Sequence, residues 1–416
     1  MAGAATPGQR RGVADPAQCD PCATVGIGDR FRFGRSASDN GGRGVRKRTF
    51  GGRRRRAGRA LVVAATVAGA VACGVEAPGA DAEPPPTAEP VAAHTLSVSL
   101  PAGAADGERA GAAAFEALVE GLSAGAVAVE IASGDETCGD ARECLDALRA
   151  GTLDVTHAAA EDIAAFFPEI RILDVPYLFE NEAVVDRVFS GPFYARLRDA
   201  LVDRTGLRPM AMGTSAGWRT LANTERPVRA PGDLQGLTLS TADSPIEAEL
   251  ATALGAVSAP VPRSELAAAL ASGAVDGVTL PLPEIVALGL HERVRHVTLD
   301  RHSYAAVLWL MNDASRQALP MALRQVVEAG FAEVARLTRA VPPGRHADAV
   351  RAMEAAGGVV QVLSPDERRA FLMAAGRVAT GYVETYGHEW LVWLEGAIAE
   401  AERDIAVARP GSADRR

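Results

Sequence analysis

The sequence predicts an α/β protein of two lobes with a ligand cleft between them. From Thr95 onward, short strand-like segments alternate with amphipathic helical ones, which indicates βαβ units and a largely parallel sheet. A similar eight-residue pattern occurs at 147–154 and again at 269–276, as expected for two lobes built on one plan. The chain has 416 residues, 48% of them hydrophobic, which is enough apolar material for such a core.

The first predicted elements follow one another closely along the chain. They are a strand at 96–100, a helix at Asp106–Leu122, a strand at 127–132, a helix at 140–150 and a strand at 153–156. The helices of the two repeated segments end at Gly151 and Gly273, and glycine suits the left-handed conformation that ends many helices. Each lobe should then present the carboxyl ends of its strands to the cleft.

Three helices are predicted in the last hundred residues. The longest pattern, 315–339, carries one apolar stripe and is long enough to span both lobes. Ser364, followed by Pro365, is a helix-capping signal and begins a helix toward Tyr386. A final helix runs to Ala406.

The charge distribution separates an N-terminal arm from the body. The net charge is −9, yet residues 1–59 hold 14 basic and four acidic side chains. The body is therefore strongly acidic, which excludes a broad surface for nucleic acid or an anionic membrane.

An export signal is predicted within residues 1–72. Basic residues precede an apolar run at 60–72, which is shorter than the roughly 20 residues of a membrane-spanning helix. The run ends at Cys73 in a sequence that resembles a bacterial lipobox, so Cys73 is the predicted lipidation site; plain secretion with cleavage near Ala72 is the alternative. Either process places the body outside the cytoplasm, in the periplasm. Val45 is an alternative start, in which case residues 1–44 are not translated.

One segment matches an enzyme motif. Residues 213–217 read G-x-S-x-G, the nucleophile elbow of serine hydrolases, with Ser215 as the nucleophile. That elbow requires a helix directly after it, whereas Asn223 and Pro227 indicate turns, so a small-residue crossover between lobes is the favoured interpretation. A hydrolase that uses Ser215 remains the alternative.

The sequence indicates no metal ion or cofactor. His291, His296 and His302 lie nearest one another, but they lack the spacing of a zinc motif. Glycine-rich motifs that hold nucleotide phosphates are missing from the sequence. In an exported protein, Cys138 and Cys144 are predicted to form a disulfide.

The body resembles the DctP-type solute-binding receptors of TRAP (tripartite ATP-independent periplasmic) transporters. The matching segments are 217–223, 226–228, 231–237, 254–256, 260–262, 264–266 and 273–277, with Pro168-Glu169 and 176–179 upstream and 363–368 downstream. Coverage runs from about residue 95 to about residue 400. The resemblance implies a periplasmic-binding-protein-like fold whose lobes close on a small solute and pass it to a TRAP permease in the membrane. It implies no covalent chemistry. A ligand sensor or scaffold without a permease is a further alternative.

The resemblance also implies a division into domains. The expected parts are an arm and signal peptide at 1–72, a proline-rich tether at 73–94, lobe one at 95–216 plus 301–345, lobe two at 217–300 plus 346–406, and a disordered tail at 407–416.

Two of the three family positions that grip a carboxylate are changed in this sequence. Arg219 matches the first arginine, with a hinge ion pair as the alternative role, whereas Ser240 and Leu280 stand where the family has a second arginine and an asparagine. We therefore expect weak binding of a simple dicarboxylate. Three explanations of the two changed positions remain open. The ligand is less charged, an acid is bound differently through Arg219 and hydroxyl groups, or the receptor no longer takes part in transport.

Other residues are placed near the cleft by their position in the family's loops. Trp218 is expected either to stack on a ring of the ligand or to fill the hinge core. The remaining expected contacts are His157, Tyr177, Thr241, Asp243 and Tyr304.

Overall fold

The computed structural model describes residues 92–101, 104, 106–133, 137–339 and 343–408. The predicted signal peptide, Cys73 and most of the tether lie outside these residues, as do residues 409–416 of the predicted tail. Residues 407 and 408 belong to the last helix.

The described residues contain ten strands and fourteen α-helices. The strands are β1 (His94–Leu100), β2 (Val127–Ser133), β3 (Val155–Ala159), β4 (Leu207–Asn223), β5 (Thr238–Ser240), β6 (Val257–Ser258), β7 (Gly277–Pro281), β8 (His296–Leu299), β9 (Tyr304–Asn312) and β10 (Val359–Val362). The helices are α1 (Asp106–Leu122), α2 (Ala141–Ala150), α3 (Ala160–Ile163), α4 (Glu182–Ser190), α5 (Pro192–Thr205), α6 (Pro245–Ala253), α7 (Leu266–Ser272), α8 (Leu282–Ala287), α9 (Asp313–Ala318), α10 (Met321–Thr338), α11 (Pro343–Ala355), α12 (Pro365–Ala374), α13 (Val378–Tyr386) and α14 (Glu389–Ala408).

The predicted elements at the start of the body are confirmed. Helix α1 has the predicted bounds, and β1, β2 and α2 agree within two residues. Strand β3 starts two residues later than predicted and is five residues long. Gly151 and Gly273, with φ of 75° and 72°, end α2 and α7 in the left-handed conformation, as their sequence positions indicate.

The strands form two half-sheets that share β4. Lobe one is built on the order β2-β1-β3-β9-β4 and lobe two on β6-β5-β7-β4-β8, with β10 beside β8. In each order the first three strands are parallel and the next two pairings are antiparallel. The two lobes thus repeat one plan, and the expected parallel sheet holds only for three strands of each lobe.

The repeated sequence segments make the same hydrogen bonds in both lobes. In lobe one, the Asp154 amide donates to the Ser97 carbonyl, and the Ser97 amide donates to the Asp154 carboxylate at 2.8 Å. In lobe two, Asp276 and Thr238 exchange the same pair of bonds, the second also at 2.8 Å. Each aspartate therefore joins the strand that follows its helix to the neighbouring parallel strand.

Strand β4 crosses from one lobe to the other. Its first part pairs with β9 as far as Trp218, and its last part pairs with β7 from Arg219 onward. The register shifts between Thr214 and Trp218. The Thr214 hydroxyl fixes this irregular stretch by donating to the Ala305 carbonyl and accepting from the Gly217 amide, both at 2.8 Å.

The G-x-S-x-G segment lies inside this crossing strand. Strand β4 continues past Gly217, which has a φ of 90°, to Asn223. A nucleophile elbow needs a helix at that point. The segment therefore lacks the geometry of a nucleophile elbow, which speaks against the hydrolase interpretation of Ser215 and agrees with a small-residue crossover.

The long helix predicted at 315–339 is divided in two. Helix α9 ends at Ala318, Leu319 is extended with ψ of 142°, and α10 begins after Pro320. A residue before proline avoids the helical conformation because the proline ring collides with its backbone. The main packing partners of α10 are α1 and β4. The segment 315–339 is therefore not one continuous helix, and β4 is one of the segments that pass between the lobes.

The C-terminal helices depart from the predicted arrangement in two ways. The capping box at Ser364 is present, but a 3-10 turn at Ala375–Arg377 separates α12 from α13. Residues 346–406 are predicted to belong to lobe two, and α11 packs on α8 and β10 of that lobe. Helix α14 instead packs on α4 and α5, within the segment assigned to lobe one.

The apolar core of lobe one lies between its sheet and helices α1 and α10. The rings of Phe115 and Phe331 meet with centroids 4.4 Å apart in this layer. A disulfide joins Cys138 to Cys144 and links the turn before α2 to that helix. Within the part of the chain that the structure describes, no helix combines the length and apolar character needed to cross a bilayer.

We predict that Gly213→Ala destabilises the protein at the crossing strand. A Cβ at this position would lie 2.7 Å from the Thr338 carbonyl oxygen, so α10 or β4 must shift. The expected loss is about 1–3 kcal/mol in the free energy of unfolding, measured by chemical denaturation. Gly232→Ala is the control because its Cβ would meet nothing within 4 Å. Equal stabilities of the two variants would contradict this account.

Candidate ligand-binding cleft

A cavity of about 390 Å³ lies where the two lobes meet at β4. Its volume suits a small organic solute. Its walls are formed by Glu161, Arg219, Ser240, Thr241, Ala242, Asp243, Pro260, Val261, Pro262, Arg263, Leu266 and Leu280.

Strand ends supply most of the polar groups of the cavity. Glu161 lies in the first turn after β3, and residues 240–243 comprise the last residue of β5 and the three residues after it. Arg263 comes a few residues after β6, whereas Arg219 lies on the crossing strand itself. The carboxyl ends of strands are the usual binding edge of an open α/β sheet, so the topology brings these residues together.

Arg219 is buried, with 5% of its surface exposed, and its guanidinium group contacts both lobes. Nη2 donates to Glu161 Oε2 at 2.6 Å, and Nη1 donates to the Thr279 carbonyl at 3.0 Å. Nε lies 3.9 Å from Glu247 Oε1. Burial would favour loss of the proton, but Glu161 and Glu247 outweigh it and raise the pKa of Arg219. Arg219 is the arginine expected to bind the ligand. In the structure it already forms an ion pair with Glu161, which agrees with the hinge ion pair given as its alternative role.

Glu161 is held as a carboxylate in the cavity wall. Burial alone would raise its pKa, but Arg219 and Arg263 reverse the effect and lower it. Arg263 Nη2 lies 3.8 Å from Glu161 Oε1, and Arg263 Nε donates to Glu284 Oε1 at 2.6 Å. Positive and negative groups thus alternate along this wall.

A second buried ionic group lies behind Arg219. His302 Nδ1 is 2.9 Å from Asp300 Oδ2, and its Nε2 is 4.0 Å from Glu247 Oε2. Burial opposes the charged imidazole, but Asp300 and Glu247 prevail and raise the pKa of His302. The Ser303 hydroxyl donates to Glu247 Oε1 at 3.2 Å. The connection between β8 and β9 is therefore linked electrostatically to the arginine of the cavity.

Two further carboxyl groups near the cavity have raised pKa values. Burial, with the charges of Glu247 and Glu161, raises the pKa of Asp174 to about 7. The Ser244 hydroxyl donates to Asp174 at 2.8 Å. Burial and Glu161 raise the pKa of Asp162 to about 6. These carboxyl groups lose their protons with difficulty because they are buried and because the region already holds negative charge.

Five of the residues proposed from the sequence line the cavity. They are Arg219, Ser240, Thr241, Asp243 and Leu280. The Thr241 hydroxyl shares a hydrogen bond of 2.7 Å with Ser258, and the Leu280 carbonyl accepts from Thr220. The two positions at which this chain departs from the family pattern therefore both face the cavity.

His157 and Tyr177 are not part of the lining because their side chains are held elsewhere. His157 packs on Trp309, with ring centroids 5.3 Å apart, and lies 4.0 Å from Glu108. Burial lowers the pKa of His157 against the opposing effect of Glu108. The Tyr177 hydroxyl donates to Asp300 at 2.9 Å, and its backbone has a left-handed φ of 59°.

Trp218 and Tyr304 form an aromatic pair at the crossing and are also outside the lining. Their rings meet edge to face with centroids 4.9 Å apart, and the two residues are register partners. The Tyr304 hydroxyl donates to the Arg339 carbonyl. Trp218 therefore has the hinge-core position that was one of its two expected roles.

The sequence analysis missed the charged residues that surround Arg219. Glu161, Arg263 and Glu247 come from three separate segments of the chain. The signal for Glu161 was its position directly after a strand, and that for Arg263 was its position after Pro260–Pro262 of the family pattern. Neither position by itself indicates which residue forms an ion pair with it.

The histidines considered for zinc are dispersed among other structural roles. His296 begins β8, His291 lies in a 3-10 turn, and His302 is bonded to Asp300. Among the residues that the structure describes, no group of three or more side chains has the arrangement of a metal site.

Comparison with known proteins identifies one family. The sequence model described as "Bacterial extracellular solute-binding protein, family 7" (DctP) matches residues 99–385. A solute-binding protein of Verminephrobacter eiseniae is 32% identical over 259 residues, which are 62% of this chain and 76% of that protein. The C4-dicarboxylate-binding periplasmic protein DctP of Rhodobacter capsulatus is 29% identical over 325 residues, or 76% of this chain and 93% of that protein.

Solved structures show the same architecture. A TRAP periplasmic solute-binding protein from Ochrobactrum anthropi, with its C-terminus bound in the ligand-binding pocket, superposes with a TM-score of 0.70 at 26% identity, covering 76% of this chain and 98% of that one. A second TRAP protein, from Ralstonia eutropha with bound (S)-2-acetolactate, gives a TM-score of 0.65 at 26% identity, with 74% and 99% covered.

The raised pKa of Asp174 predicts a pH-dependent stability. Its pKa is about 7 in the folded protein and near 4 when unfolded, so protonation stabilises the fold at low pH. This contribution is lost as the pH rises through about 7. We expect Asp174→Asn, which still accepts from Ser244, to raise the melting temperature relative to wild type at about pH 8 and less at about pH 5.

Asp203→Asn, on the exposed part of α5, is the control for the loss of one carboxylate. The difference in melting temperature between Asp203→Asn and wild type should be the same at about pH 8 and about pH 5. A constant effect of Asp174→Asn across the same range would contradict the assignment of the raised pKa.

Proposed function

Because the chain belongs to family 7 of the bacterial extracellular solute-binding proteins, we propose that it is a TRAP-type receptor that captures a small solute by closure of its lobes and delivers it to a membrane permease. The members and structural neighbours described above are solute-binding proteins. The proposed receptor returns its solute chemically unchanged.

The observation that carries this proposal is the position of the cavity at the crossing strand. Arg219 bonds to Glu161 of lobe one and lies near Glu247 of lobe two. A solute bound at Arg219 would therefore have contacts with both lobes. Such contacts stabilise a closed form relative to an open one. A permease that recognises the closed form would then accept only the loaded receptor.

The proposed solute is not a simple dicarboxylate. The Rhodobacter relative is named for C4-dicarboxylates, and an acid, acetolactate, occupies the Ralstonia structure. In this chain the cavity has Ser240 and Leu280 at the family's second arginine and asparagine positions. Arg219 retains the position of the first arginine, so one carboxylate contact remains within the proposal.

The proposed location is the periplasm, with the body held at a membrane by a lipid on Cys73. The apolar run at 60–72 and the lipobox-like sequence at Cys73 support export and lipidation. The acidic, proline-rich tether would keep the body away from the membrane surface. A ligand sensor without a permease remains the second candidate function, and neighbouring permease genes would argue against it.

A thermal-shift screen tests the receptor function. A saturating solute should raise the melting temperature by about 5 °C or more, whereas succinate and malate should produce little change. Arg219→Lys retains the charge beside Glu161 but loses the planar fork, so we expect about tenfold weaker binding of the solute found. Arg336→Lys, in an exposed pair with Glu333, is the control. A large shift with succinate would refute the argument from Ser240 and Leu280.

Lipidation is tested with Cys73→Ser. The wild-type protein, expressed with its own leader, should incorporate labelled palmitate and sediment with membranes, since the lipid is its anchor. The Cys73→Ser protein should do neither. Cys138→Ser with Cys144→Ser is the matched control, because it removes two cysteines from the disulfide and leaves Cys73. Membrane association of the Cys73→Ser protein would contradict the anchor.

A further inference from the structure

We propose that the solute is a small zwitterion, whose cationic group faces Glu161 while its carboxylate contacts Arg219. This inference rests on the proposed receptor function and names the chemical class of the solute. It follows from the way Arg219 is bonded inside the cavity, from the charge around it and from the apolar part of the wall.

The guanidinium group of Arg219 is directed at acceptors of the protein. Its Nη2 donates to Glu161 and its Nη1 to the Thr279 carbonyl. Its Nε is directed toward Glu247, 3.9 Å away. The Glu161 carboxylate thus occupies the side of Arg219 that borders the cavity.

A solute that carries only a carboxylate must compete with Glu161. When it takes over the bond to Arg219, one charge-assisted hydrogen bond replaces another, and the gain is small. Glu161 then faces a second carboxylate inside a poorly solvated cavity, where like charges repel strongly. Arg263 offers partial compensation, but it already donates to Glu284.

The charges around the cavity also disfavour an anion. Carboxylates outnumber cationic groups on the wall and directly behind it, even though Glu247 lies 3.9 Å from Arg219 and 4.0 Å from His302. An ammonium group would reduce this excess, whereas a dicarboxylate would increase it by two charges. The groups compared are Glu161, Asp174, Asp243, Glu247, Glu284 and Asp300 against Arg171, Arg219, Arg263 and His302, and the excess persists when Asp174, whose pKa is raised to about 7, is left out.

A zwitterion preserves the pairing of both wall residues. Its carboxylate replaces Glu161 at Arg219, and its ammonium group replaces Arg219 at Glu161, so neither buried charge is left without a partner. The cavity lining also offers apolar surface from Pro260, Val261 and Leu280. The solute class is therefore an amino acid, or a compound of similar layout, with an apolar body of a few carbon atoms.

The test compares matched probes by calorimetry on the full receptor. Each apolar amino acid in the panel (valine, leucine, proline and phenylalanine) is compared with the acid that lacks its amino group and the amine that lacks its carboxylate. For leucine these are 4-methylpentanoate and 3-methylbutylamine. Galactonate and succinate represent hydroxy acids and dicarboxylates. We expect at least one zwitterion to bind about tenfold or more tightly than its matched acid and amine.

The variant Glu161→Gln should reverse this preference. It removes the charge that faces the ammonium group, so the zwitterion should bind about tenfold more weakly. It also removes the carboxylate that occupies Arg219, so the matched acid should bind more tightly than it does to wild type. Glu265→Gln is the control, because it removes an exposed charge near Arg263 without a contact to Arg219.

The outcomes separate this inference from the receptor function. Tight binding of galactonate or another plain acid to wild type, with no gain in Glu161→Gln, would overturn the zwitterion and leave the receptor function intact. Equal effects of the Glu161 and Glu265 variants would also overturn it. If wild type bound no probe and no solute of the wider thermal-shift screen, both proposals would fail.

Discussion

The ion pair between Arg219 and Glu161 connects the strand that crosses the hinge with the end of β3 in lobe one. Because Arg219 also lies near Glu247 of lobe two, its guanidinium group is balanced between carboxylates of both lobes. Removing one member of such a buried set would leave another charge without a partner, which is far more costly than loss of a surface pair. In the proposed receptor the same pair would also set the charge preference of the cavity, so that stability and recognition would share one contact.

The repeated plan of the lobes explains why the cavity lies at the crossing strand. Three parallel strands in each lobe direct their carboxyl ends inward, and β4 is common to both half-sheets. The matching bonds of Asp154 and Asp276 hold equivalent strands in place in the two lobes. Most polar groups of the cavity therefore come from strand ends, and the irregular stretch between Thr214 and Trp218 is where β4 departs from regular pairing.

Local sequence patterns predict most of the helices and strands. They do not predict which residues form ion pairs with the buried charged side chains. Gly151 and Gly273 marked helix ends because their conformation depends on a few neighbouring residues. The helix break before Pro320 also depends on neighbouring residues. The apolar stripe continues on both sides of this proline, however, and so indicates one continuous helix. Arg219, Ser240 and Leu280 were found through the family pattern, and Glu161 was missed because its role depends on an arginine 58 positions away. His157 and Tyr177 lie outside the cavity lining, and their contacts with Trp309 and Asp300 likewise depend on residues that are distant in sequence.

Strand order has a consequence for synthesis of the chain. Strand β9 lies between β3 and β4, although it follows β4 in sequence with the strands β5 to β8 in between. The half-sheet of lobe one therefore cannot be completed until the ribosome has passed Asn312, when the strands β5 to β8 of lobe two have already been made. Until then, β3 and β4 each lack the neighbour that covers their backbone amides and carbonyls. Folding of lobe one therefore depends on the pairing of β9 with β3 and β4, which are distant from it in sequence. Such long-range pairing favours slow folding.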